Sequence, residues 1–184
     1  VKSLESVFLV ALVYEVAHAM QKAHEAGVAH LNLSHESVFV DCRKHAKVAG
    51  FDAVFRADPV APVFAPAELL LGKPHSEKAD VFSFGMLTYF ILTRGRGPFF
   101  TRESIEAGRP LPIKRTINRV AFSIITQCLA HSPGARPTFK AITKSIVRYG
   151  FALVDGIESE LPRLHEQLKS IVEMKKVKEK KQSK

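Results

Sequence analysis

From Leu4 to Glu25 apolar residues return at helical spacing, at Val7, Val10, Ala11, Tyr14, Ala17, Met20 and Ala23, and Gly27 follows as a natural stop. That pattern predicts a long buried helix. The spacing then changes. "SVFVD" and "KVAGF" are short runs rich in β-branched and aromatic residues on either side of "CRKHA", which predicts a hairpin. Residues 56–66, "RADPVAPVFAP", carry three prolines and predict a loop. A second strongly apolar helix is expected in "ADVFSFGMLTYFILTRG", followed by a Gly/Pro-punctuated connection with one short helical piece. Two amphipathic segments, "TINRVAFSIITQCLAHS" and "TFKAITKSIVRYGFALVDG", flank the turn "PGARP". The fold class expected is mainly α with one small β-hairpin.

Beyond these segments, Ile157, Leu161, Leu164, Leu168 and Ile171 recur at alternating four- and three-residue steps, the seam of a coiled coil. The seam lasts about two heptads, short of the three to four that sustained pairing needs. A helix packed on its own domain and a helix that takes a partner both fit. The division expected is residues 1–155 as one domain and 156–184 as a C-terminal amphipathic helix with a lysine-rich tail.

Composition narrows the classes. With 184 residues and 46% apolar content the chain can bury a full core. No apolar run reaches the roughly eighteen residues of a membrane span, since Glu5, Glu15 and His18 interrupt the first segment. Two cysteines, Cys42 and Cys128, exclude a disulfide framework and lack metal-ligand spacing. A soluble, intracellular, cytoplasmic protein is the expectation. The formal charge is +9, of which "EMKKVKEKKQSK" supplies six Lys against two Glu, a surplus of four. Such a run is either a solvated end or a weak contact for anionic lipid or nucleic acid. The eight histidines need no metal to explain them, and among the thirteen phenylalanines Phe82, Phe84, Phe90, Phe99 and Phe100 are expected to fill the core around the second buried helix.

The order of landmarks resembles the helical C-terminal lobe of a protein kinase over residues 4–150. The family's H-R-D-L-x-x-x-N loop follows a helix ending LHxxGVIH, and this chain has "AHEAGVAHLNLSHES" there. "KVAGFD" stands in the place of D-F-G. "APAELLLGKPHSEKADVFSFG" covers A-P-E and D-V-x-S-F-G, with Pro-Ala-Glu where the family has Ala-Pro-Glu, and "HSPGARPTF" matches D-P-x-x-R-P-T-F.

The resemblance implies roles that the residues here do not fill. The position of the catalytic Asp is Asn32, an amide that cannot act as a carboxylate base. The loop Lys that neutralises the moving phosphate is Ser34, the magnesium-holding Asn is Ser37, and the metal-binding Asp of D-F-G is Gly50. Asp52 lies two residues on, displaced by about 6 to 7 Å in extended chain, so a solvated aspartate fits better than a substitute ligand to Mg²⁺, which demands near-octahedral geometry. Leu31 replaces the arginine that docks an activation-loop phosphate, and residues 53–65 contain no Ser, Thr or Tyr to phosphorylate. The resemblance also implies four structural residues: His30 against the D-F-G backbone, Asp80 beneath the loop amides, and a buried pair of Glu68 with Arg136.

The expectation from this pattern is a non-enzyme: a pseudokinase, a degenerate active site on an intact fold, with no cofactor and no metal. Its use would be as an interaction, scaffold or regulatory module. Protein partners would bind the lobe surface or the C-terminal helix, and a bare phenylalanine patch would mark the place of the small N-terminal lobe, expected to be absent from this chain. The alternative is a divergent active kinase or ATP-binding regulator whose N-terminal lobe lies upstream or in another chain.

Overall fold

The computed structural model describes residues 2–51, 64–95, 101–108, 113 and 119–149. Helix α1 (Lys2–Glu25) ends in a Schellman motif: Gly27, at φ 74°, donates its N–H to His24 and Val28 donates to Ala23. A 3₁₀ turn (His35–Ser37) leads into β1 (Val38–Val40), which pairs antiparallel with β2 (Ala46–Val48), Phe39 opposite Lys47. After residue 63 come α2 (Ala67–Leu70), α3 (Lys78–Leu92), α4 (Arg102–Glu106), α5 (Arg119–Cys128) and α6 (Phe139–Tyr149). The architecture is mainly helical with one hairpin, as the sequence pattern predicts.

α1 and α3 form the centre. α1 packs against α6, α3 and β2, while α3 packs against α5. Because neighbours surround both helices, burial runs unbroken from Leu12 to Ala17 and from Ala79 to Tyr89. A helix apolar on all sides is what such a position requires. α5 and α6 lie outside and are amphipathic: α6 buries Phe139, Ile142, Thr143 and Ile146 and exposes Lys140, Lys144 and Arg148. The α3–α5 crossing is close at Gly85, where a side chain would meet Cβ of Cys128 at 2.8 Å.

Of the expected aromatic core, Phe82 and Phe84 are buried and Phe90 is partly so. Phe99 and Phe100 lie outside the described residues, as do Asp52 and all of residues 150–184, the coiled-coil seam and lysine run included. Among the described residues the exposed aromatic carbon is on Phe39, Phe51 and Tyr149.

Candidate active site

α1 delivers the chain to His30, and the loop from there to Ser37 lies over the N-terminal part of α3. Asp80, in the first turn of α3, has no exposed surface. Its Oδ2 accepts the backbone N–H of His30 at 2.8 Å and its Oδ1 that of Leu31 at 2.6 Å. His24 Nε2 lies 2.8 Å from the same Oδ2. One buried carboxylate thus ties the end of α1, two loop amides and α3, and satisfies donors that would otherwise be orphaned in the core. Leu31 sits at φ 58°, a left-handed conformation costly for a branched side chain, and its N–H bond to Asp80 holds it there.

His30 is 2% exposed. Nε2 lies 2.9 Å from the carbonyl oxygen of Ala49, so this nitrogen carries the proton and donates. Nδ1 is left as the acceptor of the Asn32 N–H at 3.2 Å. The ring also lies against Phe51, with centroids 4.6 Å apart. The imidazole therefore links the loop to the segment Ala49–Phe51.

Ser34 and Ser37 are occupied locally. The Ser34 hydroxyl accepts the Glu36 N–H at 3.2 Å, and the Ser37 hydroxyl accepts the Ser34 N–H and donates to the Ser34 carbonyl, both at 3.0 Å. This reciprocal cap holds the 3₁₀ turn. Gly50 has φ 83°, where a residue without Cβ is at ease, and presents no side-chain ligand. Ser37 is spent on its own turn and Gly50 has no side chain, so neither offers a magnesium ligand, while Asp52 lies outside the described residues. Among the described residues no three of His, Cys, Asp and Glu gather as a metal-binding group.

The second cluster lies below. Arg136, with a side chain 1% exposed, bonds Glu68 through Nη1 at 2.5 Å and Nη2 at 3.2 Å. Its remaining donors reach the carbonyls of Ala130, Lys78 and His131, and its guanidinium lies over the Phe82 ring. All five N–H groups are used, so this arginine fastens α2, α3 and the turn before α6 and has no donor left for a ligand.

Three polar residues escape a reading of the sequence. Buried Glu15 accepts from the Ala46 N–H at 2.6 Å and meets His45 Nδ1 at 2.8 Å, pinning the hairpin to α1. The His35 ring is held between Phe64 and Phe90, at 5.3 and 5.0 Å. The signal available for Glu15 was a carboxylate inside an otherwise apolar helical stripe, which burial obliges to find partners.

A helical lobe with a hairpin, whose loop amides rest on a buried aspartate, is the architecture of a protein-kinase-like lobe. A family profile described as protein tyrosine and serine/threonine kinase matches residues 2–146, and the chain belongs to that family. A probable serine/threonine-protein kinase of Dictyostelium discoideum is 30% identical over 77% of this chain and 17% of its own length. The Aurora kinase of Patiria pectinifera is 26% identical over 71% of this chain and 35% of its own length. Aurora kinase B of Danio rerio is 28% identical over 70% of this chain and 43% of its own length. The chain thus spans under half the length of each of these relatives.

These matches correct one expectation. The non-enzyme reading, drawn from Leu31, Asn32, Ser34, Ser37 and Gly50, is overturned by a family and relatives that are kinases by name. The physical reason is that phosphoryl transfer asks little covalent chemistry of the protein and rests on positioning and charge neutralisation spread over many groups. Side-chain identity at a few loop positions is a narrower test than the backbone scaffold, which Asp80 and His30 hold in place. Among the described residues no helix is long and apolar enough to cross a membrane.

Proposed function

We propose that the chain is the helical part of a divergent kinase, or of an ATP-binding regulator, whose nucleotide-binding lobe lies upstream or in another chain. The observation that carries this reading is the kinase-family match over residues 2–146 together with a loop still anchored on Asp80. The hairpin supports it as well: Phe39 is 58% and Val40 48% exposed, an apolar edge that a second lobe would cover. In this reading residues 1–155 belong to the lobe, residues 156–184 are available to a protein partner, and the setting is intracellular.

The test is the full encoded polypeptide with Mg·ATP, followed by thermal shift and by label transfer to a Ser/Thr-containing protein. Nucleotide should raise Tm in a concentration-dependent way. Transfer identifies the kinase, and Asn32→Asp should then raise its rate by roughly 100-fold, because a carboxylate base is restored. Stabilisation without transfer identifies the regulator. Neither stabilisation nor transfer overturns the proposal.

A further inference from the structure

We propose that the outer face of α6 is a contact surface for anionic phospholipid membranes. Lys140, Lys144 and Arg148 stand at i, i+4 and i+8 and are all exposed. They form one row about 12 Å long. The helix, "FKAITKSIVRY", contains no acidic residue. Its rotation is fixed, because Phe139, Ile142 and Ile146 are buried at 2% exposure or less and Thr143 donates to Gln21 Oε1 at 2.6 Å. The cations therefore cannot turn inward.

Neighbouring acids do not cancel the row. Among the described residues no carboxylate forms an ion pair with Lys140, Lys144 or Arg148. Glu25, which feels the charge of Lys140, already pairs with Lys22 at 3.4 Å. Ala141 and Ser145 lie between the cations and add no bulky apolar group, so the attraction is electrostatic and salt-sensitive.

The row is convex, which suits a flat anionic surface better than a nucleic acid. Duplex readout needs an element that enters a groove, and single-strand binding needs an open aromatic platform. Tyr149, the described aromatic at the C-terminal end of this row, has the Arg148 guanidinium over its ring at 5.1 Å. The sequence adds a second basic run at residues 175–181, and each lysine or arginine near an anionic surface adds to the attraction.

The experiment is co-sedimentation of the chain with vesicles of phosphatidylcholine alone or with about one-third phosphatidylserine, in roughly 0.1 M salt. Binding is expected only to the anionic vesicles and should vanish by roughly 0.5 M salt. The variant Lys140→Gln/Lys144→Gln/Arg148→Gln should bind roughly 100-fold more weakly. Should that variant fold poorly by circular dichroism, Lys144→Glu alone should weaken binding by roughly 25-fold. Unchanged binding by the folded variants, equal binding to neutral vesicles, or preference for a DNA or RNA duplex over vesicles overturns the proposal.

Discussion

The backbone N–H of Leu31 donates to Oδ1 of Asp80 across 2.6 Å, although 49 residues separate them in sequence. This contact, with the His30 N–H on Oδ2, leaves the loop's conformation dependent on one carboxylate. Asp80→Ala would strip the acceptor from two amides and from His24, each a buried or half-buried donor costing about 1–3 kcal/mol when orphaned. A loss of about 3–5 kcal/mol is expected by urea unfolding, and Asp80→Asn, which keeps one carbonyl oxygen, should lose clearly less. Losses equal to those of Asp80→Ala would show that a single retained oxygen recovers nothing.

Glu68 and Arg136 lend themselves to a double-mutant cycle. Glu68→Gln or Arg136→Met alone leaves a buried charge or a set of carbonyls without its partner, at a cost of about 3–5 kcal/mol. The pair Glu68→Met/Arg136→Met should cost well under the sum of Glu68→Met and Arg136→Met, because no isolated charge remains. Additive losses would mean that the two side chains do not interact in solution.

At Gly85 two effects of opposite sign compete. Alanine gains about 1 kcal/mol of helix propensity over glycine, but its Cβ would lie 2.8 Å from Cys128 Cβ and 3.1 Å from Leu129 Cδ2. A Cβ is fixed to its backbone and cannot swing away, so overpacking of about 1–3 kcal/mol prevails. Gly85→Ala should lower Tm, and a rise would contradict the close α3–α5 crossing.

The two thiols should behave unlike each other. Burial pushes Cys128 up from 9.0 to about 12, with Arg136 opposing, while Cys42 is exposed. A disulfide-exchange reagent at pH 8 should modify one thiol in the native protein and two after unfolding. The sign of the linkage follows. Between pH 9 and 12 the unfolded chain releases the Cys128 proton and the native state keeps it. Stability is therefore full below pH 9 and declines as pH rises, by at most about 1.4 kcal/mol per pH unit from this group.

Much of the fold was legible in apolar density and turn chemistry, but not which way the helices face. α1 showed helical spacing, but α1 and α3 are wrapped on several sides, so their patterns did not say which neighbour each side meets, whereas α5 and α6, with one wet face each, showed their orientation plainly. α2 is one turn behind Pro66, too short for any period to register. Family motifs pointed to Asp80, Glu68 and Arg136. They were silent on the link from Glu15 to the hairpin and on the bond of His24 to Asp80, which arise from burial in three dimensions. Motif identity at Asn32, Ser34, Ser37 and Gly50 led to a non-enzyme reading that the family comparison overturned, since loss of named side chains is a weaker signal than a retained scaffold.

The seating of α6 on α1 has a consequence for biosynthesis. Thr143 and Gln21 are hydrogen-bonded across 122 residues, so α1 waits for α6 to be synthesised before that face is covered. At about 5–20 residues per second the interval is roughly 6–24 s. Throughout it the face of α1 that α6 covers in the finished lobe depends on provisional cover. Nascent chains should accordingly engage holdase chaperones until translation has passed Tyr149.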